Sequence, residues 1–250
     1  MFWLKDISFP TPAPADAAKC AAEFIRYADD KSAKSMESEE LASKLISNLE
    51  SLPELSTDPM RKLRREYSST LLSKDASYVF AVAEAILDSS KHRWIAYEII
   101  RYHPHAFHSL DKNSLEAIGR GINSWSTVDS YSRTLSGPAW REGLISTEVI
   151  HEWAESDDRW WRRAALVSTV ALNVRSRGGT GDVSKTLAIC EKLKEDHDDM
   201  VVKALSWSLR ELVIHDPTAV GAFISSHDEE LHSRVKREVR NKLETGLKNP

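Results

Sequence analysis

The sequence predicts an all-α fold in which antiparallel helix pairs stack into an α-solenoid. Gly and Pro number only nine each in 250 residues, and neither Asn-Gly nor Asp-Gly occurs, so signals for β-hairpins are scarce. Apolar residues recur about every 3.6 positions from residue 15 nearly to the C terminus. About a dozen short helical segments joined by short turns are typical of stacked helical pairs, whose curvature offers a concave face to an elongated ligand.

The chain is predicted to consist of a leader and one domain. Residues 1–14 form an extended Pro-rich leader, because the alternate prolines at 8–14 forbid a helix. Residues 15–250 form a single helical-repeat domain. Its predicted helices are 15–30, 38–51, 58–73, 75–88, 91–102, 111–122, 125–135, 146–155, 158–174, 182–195, 198–215, 217–226 and 230–246. Candidate N-caps are Ser38, Asp58, Asp111, Ser146, Asp157, Asp182 and Asp216, with Pro59 and Pro217 at the first helical position of their helices.

The cysteines, the N terminus and the hydropathy of the chain indicate where in the cell the protein works. Cys20 and Cys190 are far apart and form no Cys-x-x-Cys pair, so we expect reduced, partly buried thiols in a cytosolic protein. The N terminus lacks the basic start and apolar core of a signal peptide. No apolar run approaches the roughly 20 residues that a membrane helix needs. We therefore expect a cytoplasmic protein, nucleoid-associated if bacterial, that binds no membrane. Nothing in the sequence suggests an obligate assembly, so we expect a monomer.

The charge balance argues against a general nucleic-acid binder. The chain has 34 basic and 38 acidic residues and a net charge of −4, whereas such proteins usually carry a basic surplus. The charge is uneven, however, with a basic cluster at residues 61–65, Arg-Lys-Leu-Arg-Arg. Because the field in a cleft depends on the arrangement of charges more than on their total, a basic face can coexist with an acidic back.

Three segments on predicted helices combine Trp with charged residues: 125–129 (Trp-Ser-Thr-Val-Asp), 160–166 (Trp-Trp-Arg-Arg-Ala-Ala-Leu) and 203–211 (Lys-Ala-Leu-Ser-Trp-Ser-Leu-Arg-Glu). Trp125 and Asp129 are four residues apart and share a helical face. Gathered together, a carboxylate, indole faces and guanidiniums suit a site that holds nucleic acid and stabilises a developing cation. The structural alternatives are core packing for each Trp and a surface ion pair between Asp129 and Arg133.

Other motifs favour structural interpretations. His103, His105 and His108 surround Pro104, but no acidic ligand with standard spacing accompanies them, so we expect a polar inter-helix loop rather than a metal site. Residues 176–181 are Gly-rich, yet no Gly-Lys-Ser/Thr follows, which favours a flexible loop over a phosphate cradle. The basic residues at 234–240 are interleaved with acids and predict a solvated mixed-charge face.

In order and spacing, the three Trp-containing segments resemble the signatures of AlkD-type alkylpurine DNA glycosylases, over about residues 57–245. The resemblance implies HEAT-like helical repeats with a concave DNA-binding face, and hydrolysis of the N-glycosidic bond of N3- or N7-alkylated purines in double-stranded DNA, with no metal or cofactor. By matching positions it implies that Asp129 is the catalytic carboxylate and that Trp125 and Trp207 are cleft tryptophans. It also implies that Arg163 approaches the DNA backbone.

Further expectations accompany this resemblance. Arg159, Lys203 and Arg210 are additional candidates for phosphate contacts. Two positions depart from the family pattern: Ser124 stands where a second Trp is frequent, and Ile46 falls near an expected early Tyr. Two alternatives to a glycosylase are a non-catalytic relative that binds damaged or branched DNA, and a helical-repeat scaffold for a protein partner, which the acidic net charge would suit.

The predicted chemistry makes sense independently of the resemblance. A purine alkylated at N3 or N7 is cationic and leaves readily, so one carboxylate suffices where an acid–base pair would otherwise be needed. As the bond breaks, positive charge develops on the deoxyribose. Asp129 would stabilise that charge and position a water, and a Trp face near a cation contributes about 0.5–2 kcal/mol.

Overall fold

The computed structural model describes residues 35–89 and 91–250, and every regular element in this part of the chain is a helix. We number the α-helices in chain order: α1 (35–50), α2 (Thr57–Leu71), α3 (Ala76–Ser89), α4 (Trp94–Tyr102), α5 (Pro104–His108), α6 (Lys112–Gly119), α7 (Trp125–Tyr131), α8 (Gly137–Arg141), α9 (Thr147–Ala154), α10 (Arg159–Asn173), α11 (Val183–Lys192), α12 (Asp199–Leu212), α13 (Pro217–Ser226) and α14 (Ser233–Thr245). A π-helical turn, Ser132–Ser136, joins α7 to α8, and a 3-10 helix, Arg175–Arg177, follows α10. The leader predicted at 1–14 and the helix predicted at 15–30 lie outside the described residues.

The helices stack in two rows. Helices α2, α4, α7, α10, α12 and α14 pack in succession as an inner row. Outer helices cover them in pairs, α3 on α4, α9 on α10, α11 on α12 and α13 on α14, and α9 also contacts α11. This arrangement confirms the predicted α-solenoid. It also places the side chains of successive inner helices along one face of the protein.

Helix α10 lies at the centre of the stack. It contacts α7, α8, α9, α11 and α12, and every residue from 163 to 173 is buried. The Asp158 carboxylate caps its N terminus by accepting from the Trp160 N–H at 2.8 Å. A helix buried all round needs small and apolar residues on every face, which explains the run Ala-Ala-Leu-Val after Arg163. The thiol of Cys190, on α11, is free and fully buried.

The predicted helix starts are partly correct. Asp111, Asp182 and Asp216 are N-caps whose carboxylates accept backbone N–H groups, and Ser146 occupies an N-cap position without a side-chain bond. The predictions for the other three were wrong. Ser38 lies inside α1, α2 begins at Thr57 with Ser56 as its N-cap, and Asp158 rather than Asp157 caps α10. Pro59 is therefore the third residue of α2, where it is tolerated because first-turn N–H groups have no intrahelical partner.

Residues 104–108 are helical, although the sequence predicted a loop. Pro104 occupies the first position of α5, where a ring without an N–H costs little. The His103 ring is the N-cap, since its Nδ1 accepts the Ala106 N–H at 3.0 Å. Within the described residues, no group of three or more His, Cys, Asp or Glu side chains is arranged to hold a metal ion. The first histidine of the motif thus caps a helix.

The Gly-rich segment after α10 is held by specific contacts. Arg141 donates from Nη1 to the Arg177 carbonyl at 2.8 Å, and Gly178 has a φ of 84° that favours glycine. A Cβ on Gly179 would lie 2.7 Å from the Val174 nitrogen, so only glycine fits there. The segment connects α10 to α11, as predicted, and these contacts place Arg177 beside Arg141 at the end of α8.

None of the helices in the described ranges is both long enough and apolar enough to cross a bilayer.

Candidate functional site

The site begins at the N terminus of α7. The Ser124 hydroxyl accepts the Thr127 N–H while the Thr127 hydroxyl accepts the Ser124 N–H, forming a capping box. The residue at the family's frequent Trp position thus starts this helix. Trp125 is the first helical residue and is 59% exposed. Asp129 follows one turn later on the same face.

Asp129 is held by Arg163 of the neighbouring helix α10. The guanidinium donates from Nε to Oδ1 and from Nη2 to Oδ2, both at 2.9 Å. The Arg163 Nη1 also donates to the Met200 carbonyl at the start of α12. Arg163 is only 5% exposed, whereas the Asp129 side chain keeps 15% of its surface open. The pair therefore fixes the carboxylate rigidly while leaving one edge of it accessible.

This partner differs from the one in the structural alternative, which was a surface ion pair between Asp129 and Arg133. The π-helical turn begins at Ser132, immediately after α7. A π-turn contains more residues than an α-turn. Asp129 and Arg133, although four residues apart, therefore do not lie directly above one another as they would in a continuous α-helix. Helix α10 packs across α7 and supplies the cation instead.

The ionisation of Asp129 depends on its arginine neighbours. Burial raises the pKa of the Asp129 carboxyl above its ordinary value, because a charged form is disfavoured away from water. The hydrogen bonds and charge of Arg163, and the charge of Arg133, act in the opposite direction. Loss of Arg163 would therefore raise the pKa further.

Trp207 lies on α12 and presents its ring to Arg133. The Arg133 Cζ is 5.4 Å from the ring centroid, a cation–π distance. The indole Nε1 donates to Glu211 Oε1 at 2.9 Å and so fixes the ring. Burial and the charge of Arg177 lower the pKa of Arg133, which Asp129 and Glu211 raise. The structure thus gathers Trp207, Asp129 and Arg163 around the junction of α7, α10 and α12.

The other predicted phosphate contacts all have acidic partners. Arg159 is exposed, donates to Asp198 at 3.2 Å and covers the Trp160 ring. Lys203 pairs with Asp199 at 2.6 Å on the same helix. The largely buried Arg210 donates to the Ser206 hydroxyl at 3.2 Å, with Glu238 at 3.8 Å. Their contact with DNA stays a prediction.

A cleft of about 870 Å³ lies beside this junction. Among the described residues, seven arginines line it, and the one acidic lining residue is Glu98. The arginines are Arg61, Arg64, Arg65, Arg101, Arg133, Arg141 and Arg177. Arg64 is buried and donates to Glu98 at 2.8 Å, while its guanidinium stacks on the exposed Tyr102 ring at 4.3 Å. The cleft is strongly basic although the protein is acidic overall.

The sequence indicated only part of this cleft. It singled out the basic cluster at 61–65 but missed the arginines at later positions. One signal was present: Arg61, Arg101, Arg141 and Arg177 follow one another at intervals of 40, 40 and 36 residues. Arg133 belongs both to the cleft and to the Trp207 contact, and it connects the two.

Other tryptophans serve the core, as the structural alternative predicted. Trp153 and Trp161 have ring centroids 4.8 Å apart, and both contact Tyr131. Trp161 also lies against Gly119 so closely that a Cβ there would be 2.6 Å from the ring. This aromatic cluster packs against Tyr131 at the end of α7.

Chemically, the site offers a fixed carboxylate, an indole face and a row of arginines suited to phosphate groups. No curated protein is significantly similar in sequence to the chain. A sequence model of the family described as DNA alkylation repair enzyme matches residues 21–243. This match covers most of the 250 residues and includes each site residue named above, so the chain belongs to the DNA alkylation repair enzyme family.

Proposed function

We propose that this protein is a DNA glycosylase that hydrolyses the N-glycosidic bond of cationic N3- or N7-alkylated purines in duplex DNA. Membership of the family gives it a role in DNA repair. The observation that carries the proposal is the Asp129 carboxylate, which is held by Arg163 and attracted by Arg133, a residue that contacts the Trp207 ring and lines the arginine cleft. We further propose that it acts as a monomer in the cytoplasm.

The geometry supports stabilisation of a sugar cation. The bond from C1′ to the purine nitrogen breaks with its electron pair leaving on the base, which becomes neutral. Asp129 opposes the positive charge that develops on the sugar. Water then bonds to C1′, and its proton passes to the carboxylate or to solvent. No step of this scheme requires a metal or a cofactor.

Arg163 fixes Asp129 without occupying all of its acceptor sites. Each carboxylate oxygen has two lone pairs, and Arg163 uses one on each. The exposed edge of Asp129 can therefore still accept a water or face a cation. Because Arg163 determines the orientation of the carboxylate before substrate arrives, the charge needs no reorganisation during the reaction.

The cleft supports recognition of the DNA backbone without reading the base sequence. Arginine guanidiniums bind phosphate oxygens in a forked, charge-assisted geometry. Binding through several such contacts is strongly salt-dependent, because counterions are released from the DNA. The local excess of arginines in the cleft removes the objection raised by the net charge of −4.

The test is release of 7-methylguanine and 3-methyladenine from a methylated duplex under single-turnover conditions. Asp129→Asn should slow release by about 10²–10³-fold, as expected when an electrostatic stabiliser is removed. Asp196→Asn is the matched control, because Asp196 pairs with Arg162, the residue before Arg163, at 2.7 Å. Release at wild-type rate by Asp129→Asn would refute the assigned role of Asp129.

A second candidate is a protein that binds damaged or branched DNA without cutting it. The observation that favours it is the engagement of both Asp129 oxygens by Arg163. Tight binding at low salt without release of any purine would support this candidate. Absence of DNA binding at low salt would refute both and favour a protein-interaction scaffold, against which the arginine cleft argues.

A further inference from the structure

Arg163 has little capacity left for a phosphate. Three of the five N–H groups that a guanidinium offers are donated inside the protein, two to Asp129 and one to the Met200 carbonyl. The residue is only 5% exposed. If a backbone phosphate is held next to the target nucleotide, another cation is better placed to hold it.

Arg133 has the properties that Arg163 lacks. It is half-buried on the π-helical turn and lines the arginine cleft. Its Nε is buried and has no hydrogen-bond partner among the described residues. A buried donor without an acceptor costs free energy, so this N–H is poised for an acceptor that the free protein does not supply.

The charges around Arg133 come from four elements. Asp129 on α7 and Glu211 on α12 attract it, while Arg177 of the 3-10 helix and Arg61 on α2 repel it. The guanidinium lies over the Trp207 ring rather than in a forked pair with either acid. An anion arriving from the cleft side would meet three arginines at once, with Arg133 nearest the Trp207 ring.

We propose that Arg133 binds a phosphate oxygen adjacent to the nucleotide whose base lies beside Asp129 and Trp207. This inference rests on the proposed function. A guanidinium near a developing sugar cation would raise the energy of the transition state unless an anion compensated its charge. A phosphate held by Arg133 supplies that compensation. It also draws the guanidinium away from the Trp207 face, which a cationic purine would otherwise have to share.

The test removes the charge of one phosphate at a time and measures whether the effect on purine release depends on Arg133. Duplexes carry one 7-methylguanine and a methylphosphonate at one of the three linkages on either side of it. For wild-type protein, one linkage should slow single-turnover release by about 10–100-fold, the range expected for a hydrogen bond to a charged group. Arg133→Gln should be slowed by a similar factor on normal DNA. It should then be insensitive to methylphosphonate at that linkage.

Arg101→Gln is the matched control, because Arg101 lines the same cleft but contacts Glu142 at 3.1 Å rather than Trp207. This variant should retain the wild-type dependence on the sensitive linkage. Arg133→Lys keeps the charge without the fork and should recover part of the rate. If Arg133→Gln stays as sensitive as wild type at every linkage, the phosphate contact is refuted.

The outcome is separable from that of the proposed function. If wild-type protein releases no purine, the same duplexes are compared by equilibrium binding at low salt. A methylphosphonate at one linkage should then weaken the binding of wild-type protein and leave the binding of Arg133→Gln unchanged. An equal effect of every linkage on both proteins would overturn the inference even where DNA binding itself is intact.

Discussion

Breaking the Asp129–Arg163 pair from the arginine side should strongly destabilise the protein. Arg163→Met keeps an unbranched apolar stem but removes the guanidinium and its charge, so Asp129 is left partly buried without its forked donor. Removing one partner of a buried pair typically costs about 3–5 kcal/mol. Because one edge of Asp129 reaches solvent, we expect the free energy of unfolding to fall by about 3 kcal/mol, the lower end of this range.

A double-mutant cycle measures the coupling. Asp129→Asn, Arg163→Met and the double variant are unfolded in urea, and the free energies of unfolding are compared. The double variant should be less destabilised than the two single variants taken together, by about 2 kcal/mol, since the second substitution removes the group that the first left unpaired. Additivity within about 0.5 kcal/mol would refute the view that the two side chains act as a unit.

The same variant gives a pH signature of defined sign. Loss of Arg163 removes the hydrogen bonds and the charge that lower the pKa of Asp129, so this pKa rises further above its unfolded value. A carboxyl group whose pKa is higher in the folded than in the unfolded state contributes more to the free energy of unfolding at low pH, and this contribution is lost as pH rises. The stability deficit of Arg163→Met should therefore grow with pH, and the acid limb of its activity profile should move to higher pH. A deficit independent of pH would contradict the argument.

Other substitutions test the packing and the cleft. Gly119→Ala should lower the free energy of unfolding by about 1–3 kcal/mol in thermal or urea unfolding, because the added Cβ meets the enclosed Trp161 ring. Gly221→Ala, in α13 where a Cβ meets nothing within 4 Å, should instead raise it by about 0.5–1 kcal/mol. Ser124→Ala should cost about 1 kcal/mol through loss of the α7 cap, measured in the same way. Arg61→Gln should reduce the slope of log binding constant against log salt by about 0.9, measured by fluorescence anisotropy, and an unchanged slope would place Arg61 outside the DNA contacts.

The helical architecture was predictable because apolar periodicity survives across every repeat. What the sequence missed were elements too short to show a period. Helix α5 has five residues, and its Pro104 suggests a break unless the preceding His103 is known to act as the cap. The π-helical turn at Ser132–Ser136 also escaped, since a widened turn inside a continuous helix leaves no local signal in the side-chain pattern.

The sequence predicted which residues belong to the candidate site better than it predicted which of them contact each other. The motifs identified Asp129, Trp207 and Arg163. In the structure Arg163 pairs with Asp129, and Arg133 lies between the charge of Asp129 and the Trp207 ring. Which cation Asp129 pairs with depends on the packing of α10 across α7, a long-range contact that local spacing cannot reveal. The later arginines of the cleft were missed for the same reason, because they are far apart in sequence and meet the cluster at 61–65 only in the folded protein.

The seven clustered arginines in a protein with a net charge of −4 make the molecule an electric dipole. The surface away from the cleft must therefore carry a net negative charge. A polyanion that approaches from that side is repelled, and its field rotates the protein until the cleft faces it. At low ionic strength, a larger share of the encounters with a polyanion therefore begins at the cleft, although the rest of the surface does not attract polyanions. Reversing the charge of acidic residues on the surface away from the cleft should therefore slow productive association with a polyanion at low ionic strength.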